Sequence, residues 1–351
     1  LAERAAIKPR GRWHPKAWLI PDSQAMWYPF GVRAATRRRH LRRWDVVVGM
    51  SFPPTAILIA HTVAGRLGIP YVADFRDAWT RSPYAPSRAA PLARFEQRLE
   101  ARMIRDAAAV VTVDATMVNH ALAQLALENR PPLYVIPNGY DEDDFAGTRP
   151  AVLPAFSVVH TGRLRRSLAS LWAGLVQALE QRPELHGRLH MWQIGAVDPG
   201  AAADLCDPPD GIVVHQVPQV PHREAISYML GADLLLVEEV GTILPSKVMQ
   251  YLRASRPILG LLDSGGLMQD VLQDIPQARL VHRDDVAGIA RAIMTLATGP
   301  RSPSTPLTDA VRSYSRREIA RRYAEVLNGV CERSSGHTPT PGCFDTMHHS
   351  P

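Results

Sequence analysis

Residues 45–75 read DVVVGMSFPPTAILIAHTVAGRLGIPYVADF, and the alternation of apolar and turn-forming residues in this stretch decides the fold. A short β-branched run (DVVVGM) precedes a segment with apolar residues at helical spacing, which Gly68 ends. A second apolar run (PYVADF) then follows. A strand, a helix and a strand in this order predict a β-α-β unit.

The same alternation continues along the chain. Further strands are predicted at AAVVTVD, PLYVIPNG, AFSVVHTGRL, RLHMWQIG, IVVHQV, DLLLVEE, RPILGLL and ARLVH, with helical segments between several of them. Because these strands are apolar throughout, they predict parallel sheets covered on both faces. We therefore expect an α/β fold of two facing Rossmann-like, doubly wound domains.

The segment NGYDEDDFAGTRPAVLP is rich in Gly, Asp and Pro, which places the domain boundary between residues 140 and 155. The predicted domains are 1–145 and 146–330, the second with a terminal helix, and 331–351 is predicted to be a disordered tail. The chain begins at Leu1, and its first forty residues lack a clear strand followed by a Gly-rich turn. From this we expect the first domain to be incomplete at its N-terminus.

Composition excludes several classes of protein. Hydrophobic residues make up 46% and charged residues 21% of the 351 residues, as in globular chains with substantial cores. Apolar runs fall short of the ~20 residues of a bilayer-spanning helix, and no secretory signal opens the chain, so a cytoplasmic location is expected. The three cysteines, which include no CxxC pair, predict neither disulfides nor a zinc site.

Positive charge is carried almost entirely by arginine. The formal charge is +6, and lysine occurs only at Lys8, Lys16 and Lys247. The basic stretch Arg37–Arg43 suits two roles, a contact with anionic lipid headgroups at a membrane surface or the solvated face of a helix. No helix-turn-helix, zinc motif or aromatic-basic platform accompanies it, so a nucleic-acid partner is not expected.

In open α/β sheets ligands bind beyond the carboxyl ends of the strands, so the residues after each strand are the candidates for a site. Gly162 and Arg163 follow FSVVH, where a glycine permits close backbone approach and an arginine suits a phosphate. After DLLLV, Pro245, Ser246 and Lys247 open a helix. A helix start with an added ammonium is a site for an anion such as a phosphate.

These motifs resemble family-4 glycosyltransferases of the two-domain B-type fold. The resemblance covers roughly residues 20 to 330 and is carried by VVVGMSFPP, VADFRDAW, VIPNGYD, VHTGRL and, most specifically, PSKVMQYLRASRPIL. It implies a retaining glycosyltransferase that moves a sugar from a nucleotide sugar on the second domain to a glycan, a lipid-linked or a small-molecule acceptor on the first. No cofactor or metal is expected.

By the same resemblance, Gly162, Arg163, Ser246 and Lys247 hold the diphosphate, and Arg163 and Lys247 stabilise charge on the leaving group. The family pattern has two glutamates eight positions apart, where this sequence has Thr242 and Gln250. Gln250 retains an amide for a ribose hydroxyl. Glu238 and Glu239 are close enough in sequence to supply a carboxylate in place of Thr242 if their loop bends inward.

On the acceptor side, Asp74, Arg76 and Asp77 follow a strand, and Ser51 ends the neighbouring one. Asp77 is a candidate to orient or deprotonate the acceptor hydroxyl. The alternative is that this Asp-Arg pair closes the end of the strand by ion pairing and helix capping. His160 is a lesser candidate near the donor.

The acidic run Asp141–Asp144 resembles a metal-binding triplet, but its place after PNGY favours capping of a short turn, so no metal site is predicted. Two other functions remain open. One is a catalytically silent binding protein with this fold, because Thr242 and Gln250 replace glutamates. The other is a nucleotide-sugar epimerase, which would need acids at the donor positions.

Overall fold

The computed structural model describes residues 19–37, 43–82, 88–239, 244–263, 266–298 and 307–334. The chain forms two compact units, the first from Leu1–Pro137 and Ala320–Pro351 and the second from Asn138–Ile319. This division differs from the predicted one at two places. The boundary lies before Asn138, and the last helix groups largely with the first unit, because Tyr323 and Arg322 hydrogen-bond to groups of that unit.

The first unit contains a parallel sheet flanked by helices. Its four described strands pair in sequence order, β1-β2-β3-β4, and every pair is parallel. They are β1 (Val47–Ser51), β2 (Tyr71–Phe75), β3 (Ala109–Thr112) and β4 (Leu133–Val135). The helices are α1 (Tyr28–Arg37), α2 (Pro54–Leu67), α3 (Ala90–Arg105) and α4 (Thr116–Leu122), with single 3₁₀ turns at Ala25–Trp27 and Leu127–Asn129.

The core of the first unit lies between the sheet and its helices. Ile57 and Ala60 of α2 and Met103 and Ile104 of α3 pack with Phe75 of β2, and all five are buried. Helix α2 ends at Gly68, as its sequence predicts, because Gly68 adopts φ 67°, a left-handed conformation that favours glycine. The β-α-β unit predicted from residues 45–75 is confirmed.

The second unit has a six-stranded parallel sheet. Its strands are β5 (Phe156–Thr161), β6 (Leu189–Ile194), β7 (Ile212–Val217), β8 (Leu234–Glu238), β9 (Ile258–Leu262) and β10 (Ala278–His282). Its helices are α5 (Glu142–Phe145), α6 (Ala169–Gln181), α7 (Pro199–Cys206), α8 (His222–Gly231), α9 (Lys247–Ala254), α10 (Leu267–Leu272), α11 (Val286–Thr298) and α12 (Asp309–Arg312), with a 3₁₀ turn at Pro183–Leu185. Helix α13 (Arg316–Ser334) follows, and the division between the units falls inside it.

The strand order of this sheet is β10-β9-β8-β5-β6-β7, so successive strands run outward from β5 in both directions. The two sets of strands separate between β5 and β8, which is the topological switch point where open α/β sheets bind ligands. One face of the sheet packs on α6, α7 and α11, and the other packs on α8, α9 and α10. Both faces are covered, as the uniformly apolar strands predict.

Parts of the basic stretch, the donor-site motif and the C-terminal tail lie outside the described residues. Arg37 and Arg43 are exposed, whereas residues 38–42 between them lie outside the described residues, as do Thr242 and the tail from residue 335. Within the described ranges, no helix has both the length and the apolar character that a bilayer crossing requires.

Candidate functional site

Two glycine turns meet at the switch point of the second sheet. Gly162 follows β5 with φ 92°, and Gly195 follows β6 with φ 118°. The N–H of Gly162 donates to the carbonyl of Ile194 at 2.8 Å, and a Cβ on Gly195 would lie 2.8 Å from the carbonyl oxygen of Gly162. Both positions therefore require glycine, and the chain beyond β5 presents backbone without a side chain.

Helix α9 is attached to the end of β5 by two side chains one turn apart. Lys247 Nζ donates to the carbonyl of Thr161 at 3.1 Å, and Tyr251 Oη accepts the N–H of Thr161 at 2.9 Å. Tyr251 is fully buried, and burial raises its pKa to about 12. This places the start of α9 beside the switch point, at the sequence position from which a phosphate site is predicted.

Lys247 directs its amine into the protein. Although the residue is partly exposed, its Nζ lies 2.5 Å from Nε2 of His160, which is 1% exposed. The pKa of Lys247 is lowered to about 8, mainly by burial; Glu238 opposes the shift and Arg165 adds to it. The amine is therefore a charge held in place at neutral pH rather than a solvated lysine at a helix start.

The first turn of α9 is only partly available to an anion. The N–H groups of Val248 and Met249 donate to the carbonyls of Pro245 and Ser246, at 2.9 and 3.3 Å. The side chain of Ser246 makes no capping hydrogen bond. Two amides of the first turn thus have partners within the turn, and Lys247 provides the main positive charge of this helix start.

Arg163 is placed differently from Lys247. Its guanidinium forms an ion pair with Asp198, at 2.5 Å, just before α7, and the side chain is 39% exposed. Arg166, three residues on, forms a similar pair with Asp263 at 2.5 Å. These pairs are exposed enough that a bound phosphate can compete for the arginines. The role of Arg163 at the diphosphate remains a prediction.

Glu238 and Glu239 are both buried, at 3% and 2% exposure. Glu238 Oε1 lies 3.2 Å from Nη1 of Arg283, and Glu239 Oε2 accepts the N–H of Asp263 at 2.6 Å. Burial raises the pKa of Glu238, and Arg283 opposes the shift. Both carboxylates therefore contact groups at the carboxyl ends of the central strands.

Gln250 lies one turn after Lys247 and is partly exposed. Its Nε2 is 3.4 Å from Nε2 of His222, and the same ring nitrogen is 3.1 Å from Oδ2 of Asp144. The amide is therefore near the surface of α9, where a ribose hydroxyl can reach it. Its role in donor binding remains a prediction.

In the first unit, Asp74 is fully buried and already engaged. Its carboxylate lies 2.9 Å from Nε of Arg76 and accepts a hydrogen bond from Oη of Tyr323 at 3.0 Å. Arg76 Nη1 also donates to the carbonyl of Ile136 at 3.0 Å. Burial raises the pKa of Asp74 despite both partners. This geometry supports the reading in which the Asp-Arg pair closes the end of β2.

Asp77 is the exposed carboxylate of the same segment. Ser51, fully buried at the end of β1, donates from Oγ to the backbone carbonyl of Asp77 at 3.4 Å. Ser51 is thus placed to support the loop rather than to meet a ligand directly. Asp77 itself reaches solvent, which a group acting on an acceptor hydroxyl must do.

A buried polar cluster beside this loop was not predicted from the sequence. Trp79 Nε1 donates to Glu96 at 3.0 Å, and Glu100 accepts from Thr80 and lies 3.0 Å from Nε2 of His120. Glu96 and Glu100 stand four residues apart on α3, on the face that also carries buried apolar residues. Carboxylates at core positions of an amphipathic helix are the signal that identifies such a cluster.

The acidic run forms caps and ion pairs. Asp141 accepts the N–H of Asp143 at the start of α5, and Glu142 pairs with Arg253 at 2.7 Å. Among the described residues, no three His, Cys, Asp or Glu side chains are grouped as metal ligands would be. The capping role predicted for this run is confirmed.

Comparison with known proteins gives the following matches. Residues 4–139 match the family described as the glycosyl transferase 4-like domain. No curated protein matches the chain by sequence. Sucrose-phosphate synthase from Thermosynechococcus elongatus superposes with TM-score 0.58 at 15% identity, over 90% of this chain and 81% of that one.

A UDP-forming α,α-trehalose-phosphate synthase from Burkholderia xenovorans, in complex with glucose-6-phosphate, has TM-score 0.58 at 13% identity. The match covers 88% of this chain and 79% of that one. At these identities the similarity is one of fold. The predicted resemblance to family-4-like glycosyltransferases is confirmed by the domain match and by the two-sheet α/β fold.

Proposed function

We propose that this chain transfers a sugar from a nucleoside diphosphate sugar, bound by the second unit, to a hydroxyl group of an acceptor, with retention of the anomeric configuration. The observation that carries the proposal is the position of Lys247. Its ammonium is held at the switch point between β5 and β8, beside the glycine turn at Gly162. A fixed cation beside bare backbone suits a diphosphate.

Sugar transfer breaks the bond between the anomeric carbon and the β-phosphate oxygen, and the electron pair leaves with the nucleoside diphosphate. The acceptor oxygen forms the new bond to the anomeric carbon and gives up its proton. A positioned donor aimed at the charge that develops on the phosphate contributes about 3 kcal/mol. We assign this role to Lys247, with Arg163 recruited from Asp198 when the donor binds.

We assign the acceptor side to the first unit. Asp77 is exposed after β2, and the buried Ser51 supports its backbone. A carboxylate there can hold the acceptor hydroxyl and take its proton. Glycans, lipid-linked sugars and small sugar molecules all offer such a hydroxyl.

A contact with an anionic membrane surface is part of the proposal. Arg37 and Arg43 are exposed, and Met26, Trp27 and Phe30 expose 70%, 50% and 69% of their surface at the start of the same segment. Arginines beside exposed apolar side chains suit lipid headgroups. Sedimentation with phosphatidylglycerol vesicles, but not with phosphatidylcholine vesicles, is the expected result.

The test is titration calorimetry of the purified chain with UDP, GDP, ADP and dTDP, without added metal. UDP comes first because one structural relative is described as UDP-forming. We expect one nucleotide to bind, and Lys247→Gln to weaken its binding by roughly 10- to 150-fold, the range for one hydrogen bond to a charged group. The control is Arg182→Gln, which removes a cation from an exposed pair with Glu184.

If none of the four nucleotides binds, the proposed function fails. If a nucleotide binds and Lys247→Gln leaves its affinity unchanged, the switch point is not the diphosphate site. Turnover is then tested with the corresponding nucleotide sugars, by following release of the nucleoside diphosphate.

The burial of Glu238 and Glu239 favours one alternative, a protein that binds nucleotide sugars without transferring them. Both carboxylates are buried and already contact groups of the protein, Glu238 with Arg283 and Glu239 with the N–H of Asp263. This alternative predicts nucleotide binding that depends on Lys247 but no turnover, and no gain of turnover in Gln250→Glu. Release of nucleoside diphosphate by the unmodified chain would exclude it.

A further inference from the structure

The amide of Gln193 fixes the protonation of its neighbour His160. Gln193 is fully buried, and its Nε2 donates to the carbonyl of Gly162 at 2.9 Å and lies 3.4 Å from that of Ala196. Two carbonyls on one side identify that end of the side chain as the nitrogen. The amide oxygen therefore points to His160, whose Nδ1 lies 2.6 Å away.

An amide oxygen can only accept, so Nδ1 of His160 must carry a proton. Burial lowers the pKa of His160 well below its ordinary value, and Lys247 lowers it further, so the ring is neutral. A neutral ring protonated at Nδ1 has a lone pair at Nε2. That atom lies 2.5 Å from Nζ of Lys247, which must therefore be the donor.

We propose that His160 is the positioning residue for Lys247, and that the chain from Gln193 through His160 to Lys247 aims the ammonium at the phosphate of a bound nucleotide. The proposal rests on the proposed function for its ligand. An ammonium has three N–H groups. His160 and the carbonyl of Thr161 accept two of them, and the third has no acceptor among the described residues.

The same contacts explain why the turn at Gly162 and the amine stay together. Gln193 Nε2 donates to the carbonyl of Gly162, and Lys247 Nζ donates to the carbonyl of Thr161, the residue before it. The hydrogen-bonded chain of Gln193, His160 and Lys247 therefore links β5, β6 and α9 at one point. Two charged groups shift the pKa of Lys247: Glu238, which is paired with Arg283, raises it, and Arg165 lowers it.

Two substitutions separate the two contacts of the imidazole. In His160→Gln, the end of the side chain reaches the position of Nε2 and can still accept from Lys247. In His160→Asn, the shorter amide reaches the position of Nδ1 and retains only the contact with Gln193. Both variants replace the ring with a neutral amide, so they are matched in polarity and serve as controls for each other.

The first measurement needs no nucleotide. Competitive labelling with acetic anhydride, read by mass spectrometry over a range of pH, gives the pKa of each lysine, and Lys8 and Lys16 are internal references. In the unmodified chain Lys247 should titrate near 8. We expect this pKa to be kept in His160→Gln and to rise by more than about one unit in His160→Asn, as the amine turns to water.

An unchanged or lower pKa in His160→Asn would overturn the proposal, since the amine would then keep its place without the imidazole. The pKa measurement needs no ligand, so it tests whether His160 positions Lys247 even if no nucleotide binds and the proposed function fails. Thermal unfolding of both variants checks that they fold. If His160→Asn is unfolded, Gln193→Leu provides the test, because the ring then loses the partner that fixes its tautomer.

With the nucleotide found by calorimetry, His160→Asn should lower kcat/KM by about 10- to 100-fold, the range for a lost hydrogen bond to a charged group. His160→Gln should retain most of the activity. Equal losses in both variants, without a change in the pKa of Lys247, would indicate a role in packing alone and would also overturn the proposal.

Discussion

The hydroxyl of Tyr323 should hold the last helix on the first unit. Tyr323 lies on α13 and donates from Oη to Oδ2 of Asp74 at 3.0 Å, and its ring lies 5.8 Å from Cζ of Arg76. In Tyr323→Phe the ring and its contact with the guanidinium remain, so the substitution removes only the hydrogen bond to a fully buried carboxylate.

The size of the effect follows from the charge on Asp74. A hydrogen bond to a charged group contributes about 1.5–3 kcal/mol, and removing the donor leaves Arg76 as the remaining side chain that contacts the carboxylate among the described residues. We expect the free energy of unfolding of the first unit to fall by about 2 kcal/mol. For a domain of this size, that lowers the midpoint of thermal unfolding by roughly 4–8 °C.

The loss should depend on pH. Burial raises the pKa of Asp74, and the hydroxyl of Tyr323 opposes that shift. Since the folded-state pKa is raised, the folded protein binds the proton more readily, and stability falls as pH rises through the interval between the unfolded and folded pKa values. Tyr323→Phe raises the folded pKa further, so its cost is largest above that interval and shrinks below it.

Scanning calorimetry at neutral and acid pH is the assay. The matched control is Tyr134→Phe on β4, a partly exposed tyrosine of the same unit. Loss of its hydroxyl should change the free energy of unfolding by less than about 0.5 kcal/mol. If the two variants unfold at the same temperature, the hydrogen bond to Asp74 does not hold the helix and the reasoning is wrong.

Three further outcomes are expected. Affinity for the nucleoside diphosphate should fall as pH rises through about 8, because Lys247 loses its proton there, and calorimetry across that range checks this; a flat profile would contradict it. Arg283→Met should cost the second unit about 3 kcal/mol in urea unfolding, since it leaves Glu238 buried without its ion pair; a cost below about 1 kcal/mol would show that Glu238 is held by other groups. Gln250→Glu should strengthen binding of a nucleoside diphosphate and leave binding of inorganic pyrophosphate unchanged, because a carboxylate can accept hydrogen bonds from two ribose hydroxyls. Equal effects on both ligands would show that residue 250 does not contact the ribose.

The sheets could be predicted from the sequence because both are parallel and covered on both faces. The central strands then read as short apolar runs between turn formers, as DLLLVEE does for β8 and RPILGLL for β9. Local signals also set the end of α2 at Gly68 and the cap at Asp141. These features are set by interactions between residues a few positions apart, so they can be read from a short stretch of sequence.

The site was predictable in position but not in contacts. The end of β5 and the start of α9 do meet at the switch point, where Lys247 donates to the carbonyl of Thr161, since parallel strands present their carboxyl ends at one edge. The pairing of Arg163 with Asp198 joins side chains 35 residues apart, and the turn of Lys247 toward His160 joins side chains 87 apart. Such contacts depend on rotamers chosen by the folded surroundings.

The chemistry of the amine explains why this arginine-rich chain has a lysine at position 247. A guanidinium is planar, carries five N–H donors and stays charged, so it suits exposed pairs such as that of Arg163 with Asp198. Among the residues that the structure describes, Lys247 finds two acceptors beside the buried His160, one ring nitrogen and one carbonyl, which a compact ammonium can satisfy while keeping a third N–H for a ligand. A guanidinium in that space would bury N–H groups without acceptors. The lysine is therefore required by the number of acceptors at the switch point, and its charge is then available to a phosphate.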